Sequence, residues 1–354
     1  MKKTALNILT IMATTALMIG VAQNSQAYDW DAGSVGDWTD SANWEGADPG
    51  EYPGSEGVDV SARIGGAGSQ ATVNQDISIN PEGGGAGNFS LGSDSSESPA
   101  TLYIENNLTA RNFTVGNSTY QHGIVNHTAG TLQLNSTFTT GFRIGSDSAA
   151  TVAYNFGSST DLGANNPSVT YNTRLALREG DLSVSMSGYG SWSGERFEAW
   201  MATGNSLDLR VQGGNLDISL DDGNWGTVFA PGVTYTAVID STGISTWNSS
   251  AIRFRDQGTG ESAAFALELS GYTFNYGEEF VILDAGSFFH DAATGFRNIA
   301  NDDVLTVDGY EFRANYRTEE GNEQFVLTAI PEPGSVLLLG VGGLMLALLR
   351  RKLR

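Results

Sequence analysis

The chain has 354 residues, of which 18 are basic and 40 acidic, and its formal net charge at pH 7 is −22. It contains no cysteine, which excludes a disulfide framework, a thiolate metal site and a cysteine nucleophile. Its lysines are Lys2, Lys3 and Lys352, so residues 28–330 offer no Schiff-base lysine, and their acidic surface repels nucleic acid.

The N-terminus has the three parts of a secretory signal. Two lysines precede a mostly apolar run at residues 5–21, and Ser25-Gln26-Ala27 places small residues at −3 and −1 of a cut. The run is too short and too rich in threonine for a stable membrane span. We therefore expect signal peptidase to cleave after Ala27 and to remove residues 1–27 from an exported protein.

Residues 28–165 contain a repeat of short β-rich runs and polar turns. Asn88-Phe89-Ser90-Leu91-Gly92 returns as Asn112-Phe113-Thr114-Val115-Gly116 and again as Gly141-Phe142-Arg143-Ile144-Gly145. Thr101-Leu102-Tyr103-Ile104 also matches Thr131-Leu132-Gln133-Leu134. One such unit cannot bury its apolar side alone, whereas stacked units can. The repeats predict the coils of a parallel β-helix, with equivalent coil positions for the three glycines, and a β-sandwich is the competing fold.

Residues 166–330 are also predicted to be β-rich, with Asn165-Asn166-Pro167 as the boundary between two domains. Asp308-Gly309 lies between alternating runs and predicts a hairpin. The run at 280–283 is apolar throughout, which predicts a strand buried on both sides. One helical turn is predicted around 195–201. The fold class is all-β, and the second half is either a continuation of the β-helix or an antiparallel β-sandwich.

The coils resemble the repeats of bacterial β-helix surface proteins and autotransporter passengers. The opening Trp30…Trp38…Asn43-Trp44 is similar to the start of such ectodomains. We expect the three tryptophans to close the first coil, whose open end would otherwise expose apolar core and unpaired strand edges. A sugar-stacking platform is the functional alternative.

The sequence contains no compact pattern of catalytic residues, and we expect no enzyme activity. Glu195 and Glu198 are the closest pair of carboxylates beside aromatic residues, and on a helical turn they would share a face. Trp192, Glu195 and Trp200 are therefore the candidate residues for binding or cleaving a sugar. A lyase would have to use an arginine as its base, which is a poor base because of its high pKa.

Metal and cofactor sites are also weakly indicated. The three histidines, His122, His127 and His290, are not spaced to converge on one metal. Oxygen-rich segments at 29–31, 221–224 and 302–303 could hold a structural calcium ion, although turn chemistry explains 221–224 and 302–303 equally well. We expect no other cofactor.

The C-terminus has three parts. Pro331-Glu332-Pro333-Gly334 precedes the apolar run at 336–349, and Arg350-Arg351-Lys352-Leu353-Arg354 follows. Fourteen apolar residues span about 21 Å as a helix, less than the ~30 Å of a hydrocarbon core. The run is therefore a short hydrophobic helix, and its basic end would stay cytoplasmic.

This tripartite segment, residues 331–354, resembles the PEP-CTERM sorting signal, also catalogued as the C-terminal domain of ice-binding proteins. The resemblance implies that an exosortase recognises Pro331, Glu332 and Pro333, that Arg350 and Arg351 are retention charges, and that the protein is connected with exopolysaccharide. Ice binding itself predicts stacked Thr-x-Thr rows, and Thr137-Phe138-Thr139 has no copy one coil away.

The sequence thus predicts an exported protein of the cell surface or extracellular matrix, with a structural or adhesive role. Its expected partners are signal peptidase, an exosortase, the membrane through residues 336–349, and exopolysaccharide, but no nucleic acid. The alternative is a β-domain that binds or cleaves carbohydrate.

Overall fold

The computed structural model describes residues 27–31, 33–55, 61–79, 87–116, 121–136, 141–145, 151–178, 181–186, 188–201, 205–213, 216–221, 226–256, 261–290 and 295–330. The predicted signal peptide up to residue 26, the Thr137–Thr139 row, Asp222-Gly223-Asn224 and the whole segment 331–354 lie outside these residues. The C-terminal helix is among the expectations that fall there.

The first half of the described chain consists of short strands separated by turns, together with two 3-10 turns at Ser41–Asn43 and Gly163–Asn165. Its strands are β1 (Ala27–Trp30), β2 (Val35–Asp37), β3 (Trp44–Glu45), β4 (Ser61–Ile64), β5 (Gln70–Val73), β6 (Ile77–Ile79), β7 (Asn88–Leu91), β8 (Ala100–Ile104), β9 (Leu108–Ala110), β10 (Asn112–Val115), β11 (Gly123–His127), β12 (Thr131–Leu134), β13 (Phe142–Ile144) and β14 (Thr151–Phe156).

The second half continues in the same way, and the described residues contain no α-helix. Its strands are β15 (Ser168–Arg178), β16 (Asp181–Met186), β17 (Gly190–Trp200), β18 (Leu207–Gln212), β19 (Leu216–Leu220), β20 (Thr227–Phe229), β21 (Val233–Asp240), β22 (Trp247–Ser249), β23 (Ile252–Phe254), β24 (Ala264–Ser270), β25 (Glu279–Ala285), β26 (Phe288–His290), β27 (Val304–Val307), β28 (Tyr310–Glu319) and β29 (Asn322–Ile330).

The strands stack in parallel as three faces of a coiled chain. Face 1 runs β1-β4-β7-β10-β13, through residues 174–178 of β15 and 196–200 of β17, to β20-β23-β26. Face 2 runs β2-β5-β8-β11-β14-β16-β18-β21-β24. Face 3 runs β6-β9-β12, through residues 168–171 of β15 and 190–194 of β17, to β19-β22-β25. Parallel pairing therefore continues through both halves, which is a β-helix-like arrangement and not a separate sandwich.

The repeat glycines occupy equivalent positions, as the repeat predicts. Residues 88–91 pair with 112–115, and 113–115 pair with 142–144, so Gly92, Gly116 and Gly145 follow aligned strands. The N–H of Gly116 donates to Leu91 O at 2.8 Å, and the N–H of Gly145 donates to Val115 O at 2.7 Å. Each glycine thus closes its turn on the coil before it.

Two sequence-based expectations are wrong. The match between 101–104 and 131–134 is not structural, because the first run is β8 on face 2 and the second is β12 on face 3. All three faces bury alternate apolar side chains, so the same four-residue pattern recurs on different faces. The helical turn expected around 195–201 is instead the extended second half of β17, because it pairs with β15 and β20.

The two ends of the stack are closed differently. At the first coil β1 pairs antiparallel with β3, and Trp30, Trp38 and Trp44 are 3%, 0% and 3% exposed. The rings of Trp30 and Trp38 each lie 4.9 Å from that of Trp44, edge to face. The tryptophans therefore close the coil, as expected, and their burial leaves no platform for stacking a sugar.

At the last coil, the antiparallel strands β27, β28 and β29 add to β25. The predicted hairpin is confirmed, with Asp308 and Gly309 at φ 49° and 84° in its two-residue turn. A register shift between Val281 and Leu283 lets Ile282 and Leu283 both lie fully buried. Strand β29 ends at Ile330, directly before Pro331-Glu332-Pro333 in the sequence.

Candidate functional site

Face 1 carries one outward side chain per strand at aligned positions. Arg143 is level with Ala176, Ala176 with Glu198, Glu198 with Val228, Val228 with Arg253, and Arg253 with Phe289. Ala176, Glu198 and Val228 are 1%, 3% and 1% exposed although they alternate with core residues. Neighbouring side chains on the outer surface of face 1 therefore cover Ala176, Glu198 and Val228.

Glu198 is a buried carboxylate surrounded by three arginines. Arg174 Nη1 and Arg178 Nη2 each lie 3.1 Å from its Oε2, and Arg196 Nη2 bonds its Oε1. Arg174 and Arg196 are level with each other on adjacent strands, and Arg178 lies four residues after Arg174. A buried carboxylate requires this compensation, but three guanidinium groups leave the cluster positively charged.

Burial and the neighbouring arginines lower the pKa of the Arg174 guanidinium. Burial is the largest cause that lowers the pKa of its guanidinium, the Glu198 carboxylate opposes the shift, and the neighbouring arginines, Arg143 among them, lower the pKa further. Arg143 is exposed on the strand before Arg174. The positive field therefore reaches beyond the three arginines that bind Glu198.

Two aromatic rings extend the site along the face. The guanidinium carbon of Arg178 lies 5.4 Å from the centre of the Trp200 ring, and that of Arg255 lies 4.3 Å from it. Arg253 lies 4.8 Å from the centre of the Phe289 ring, and Phe289 is 37% exposed. Such cation–π contacts order long side chains on the surface.

These residues form one patch, which we call the arginine patch. Its members are Arg143, Arg174, Arg178, Arg196, Arg253 and Arg255, with Glu198 and Trp200. Residues 142–145, 174–178, 195–201, 226–230 and 251–256 of face 1 hold these six arginines and three acids, Glu195, Glu198 and Asp256, so their net charge is 6 − 3 = +3. The whole chain carries −22, so the patch is a local reversal of sign.

The sugar-site candidates from the sequence do not come together. Trp192 is 0% exposed and packs in the core against the rings of Phe142, Tyr154 and Phe156. Its ring therefore cannot stack on a sugar. Glu195 is exposed on β17, and Trp200 lies half-buried in the arginine patch. The pair Glu195 and Glu198 is an exposed carboxylate and a buried, ion-paired one.

The histidines and acidic turns also have defined surroundings. His127 is fully buried, its Nε2 lies 2.9 Å from Gly130 O, and burial lowers its pKa to about 4. Asp29 pairs with Arg63 at 2.5 Å. Among the described residues no group of three or more histidine, aspartate or glutamate side chains is placed to hold a metal ion. The side chain of His290 lies outside the description.

The sequence pattern contains one trace of the arginine patch. One five-residue pattern occurs twice, one coil apart, at residues 174–178 and 196–200. It begins with an arginine, has apolar residues at its second and fourth positions, and ends with Arg178 or Trp200. Arg143, Arg253 and Arg255 join the patch only through the stacking of more distant coils.

Comparison with known proteins bears on the C-terminal end. The PEP-CTERM protein-sorting motif matches residues 329–352, which begin at the end of β29. No curated protein matches the chain. The part of the chain that the structure describes has no helix with the length and hydropathy of a membrane span. The motif is the mark of exported proteins that an exosortase sorts to the cell surface, and this chain carries it.

Proposed function

We propose that the protein is a structural or adhesive component of the cell surface or extracellular matrix that associates with exopolysaccharide. Signal peptidase removes residues 1–27, and an exosortase acts near Pro331, Glu332 and Pro333. The observation that carries the proposal is the parallel stack itself, which runs from β1 to β26 and leads into the sorting motif.

A stack of this kind suits a polymeric partner. It repeats one outward position about every 4.8 Å along its axis, whereas a small-molecule site needs a single enclosed cleft. An extended chain of sugars can therefore contact the same kind of position on successive coils.

The other two faces support a structural role. Asn155 Nδ2 donates to Asn126 Oδ1 at 2.9 Å on face 2, and Thr170 Oγ1 donates to Gln133 Oε1 at 2.8 Å on face 3. Outward polar side chains thus bond their neighbours one coil away. Such ladders stiffen the stack and satisfy its surface without specific chemistry.

Fractionation of the exporting bacterium tests the proposal. The native chain should be found with the matrix, and a strain that makes no exopolysaccharide should release it to the medium. The triple change P331A/E332A/P333A should accumulate unsorted protein, whereas Ser335→Ala is the matched control and should be sorted normally. Equal matrix retention with and without exopolysaccharide would contradict the proposed association.

The intact mass of the native protein tests the processing steps. A mass that corresponds to residues 28 to about 330 is expected if both cuts occur. A mass that corresponds to residues 28–354 would remove the exosortase step and leave a membrane-anchored protein.

A further inference from the structure

The arginine patch carries more positive charge than its buried carboxylate needs, because three guanidinium groups surround Glu198. We propose that it is a binding site for an acidic polysaccharide whose charged groups are sugar carboxylates, a polyuronate. This inference rests on the proposed association with exopolysaccharide and names the class of polymer and the surface that binds it.

Charge is the first argument. A chain of net charge −22 repels polyanions at long range, so an acidic polymer can bind only where the sign is reversed locally. The patch provides that reversal, with an excess of three positive charges. A guanidinium group also matches a carboxylate with two parallel hydrogen bonds, which gives geometric specificity.

Order is the second argument. Glu198 fixes the guanidinium groups of Arg174, Arg178 and Arg196. Trp200 of β17 contacts Arg178, which lies on the preceding strand β15. It also contacts Arg255, which follows β23, two strands further along the face. Side chains that are already ordered lose less conformational freedom when a ligand binds. Glu198 and Trp200 therefore act as positioning residues for a surface of guanidinium groups.

Extent is the third argument. From β13, which carries Arg143, to β23, which carries Arg253, there are four strand spacings, or about 19 Å at about 4.8 Å each. A single small anion cannot span this distance. Double-stranded DNA carries about one charge per 1.7 Å. Its charges are therefore closer together than the strands that carry the arginines of the patch. A polyuronate has its charges one sugar apart and fits the sparser spacing.

Binding of polygalacturonate to the purified protein tests the inference, with highly methyl-esterified polygalacturonate as the uncharged polymer of the same backbone. The test variant is R143Q/R255Q, because neither arginine bonds Glu198. The control is R297Q/R313Q, which removes the same charge from exposed arginines away from face 1. Thermal unfolding of each variant checks that the fold is retained.

We expect the native protein and the control to bind polygalacturonate within twofold of each other. R143Q/R255Q should bind about tenfold more weakly, as expected when two partly exposed ion pairs are lost. The esterified polymer should not bind, and added salt should weaken binding of the acidic one.

Several results would overturn the inference. These are no binding of polygalacturonate, equal binding by R143Q/R255Q and the native protein, equal binding of the esterified polymer, or DNA bound as tightly as the polyuronate at the same salt. Arginine-dependent binding in vitro, together with matrix retention that does not depend on exopolysaccharide, would keep this inference and reject the proposed function. Matrix retention that depends on exopolysaccharide, together with polygalacturonate binding that does not depend on the arginines, would keep the proposed function and reject this inference.

Discussion

Replacing Glu198 by glutamine tests whether the arginine patch is held by its buried carboxylate. The change keeps the shape of the side chain but removes the negative charge that pairs with Arg174, Arg178 and Arg196. Removing one partner of a buried ion pair costs about 3–5 kcal/mol because the other charges stay uncompensated.

The lower end of that range applies here. The Glu198 side chain is 4% exposed, but its partners are 21–34% exposed and are partly screened by water. We therefore expect the free energy of unfolding to fall by about 3 kcal/mol. With an unfolding entropy of about 2.1 cal/mol/K per residue over roughly 300 residues, the melting temperature should fall by about 5 °C.

Calorimetry of Glu198→Gln beside Glu195→Gln measures this effect. Glu195 is exposed on the same strand, so its variant changes the net charge equally and should melt within about 1 °C of the native protein. The double variant R196Q/E198Q should be less destabilised than the sum of its single changes, because the two groups are coupled. Equal melting of Glu198→Gln and Glu195→Gln would refute the reasoning.

Three further predictions concern the fold. Burial lowers the pKa of His127 in the folded protein to about 4, whereas the unfolded value is about 6.5. The contribution of neutral His127 to stability is therefore fully present above pH 6.5, and about 3 kcal/mol of it is lost as the pH falls towards 4. The melting temperature should depend less on pH in His127→Gln than in the native protein. Gly130→Ala places a Cβ 2.3 Å from backbone of the preceding coil, whereas Gly68→Ala at a similar φ meets nothing within 4 Å, so we expect a loss of about 3 kcal/mol at Gly130 and about 1 kcal/mol at Gly68 in denaturant titrations. Trp38→Ala should cost about 4 kcal/mol and promote association through the opened first coil, whereas Val35→Ala, at a residue 66% exposed, should change little by denaturation or light scattering.

Local features of the fold were predictable from the sequence. The hairpin at Asp308-Gly309 depends on a two-residue turn, and the alignment of Gly92, Gly116 and Gly145 depends on one repeated strand and its turn. Both are properties of a few neighbouring residues. The assignment of strands to faces was less accessible, as the false match of 101–104 with 131–134 shows, because coil lengths vary and every face buries alternate positions.

The arginine patch could not be derived in the same way. Arg143 and Arg253 are separated by more than a hundred residues in the sequence, and their alignment requires the register of each intervening strand. Glu195 and Glu198 do not share a helical face for the same reason. Pairing of residues 196–200 with 174–178 decides that the segment is a strand, and that pairing is not visible locally.

The first and last coils lie at opposite ends of the stack. Strand β29 leaves the stack beside β25, at the opposite end from the tryptophan-closed coil. Nine parallel pairings on face 1 separate β1 from β26, or about 43 Å at about 4.8 Å each. The arginine patch extends from the fifth to the ninth of the ten strands of face 1. A polymer bound there would lie nearer to Ile330 than to the first coil, and the first four coils would project past it as a spacer tipped with buried tryptophan.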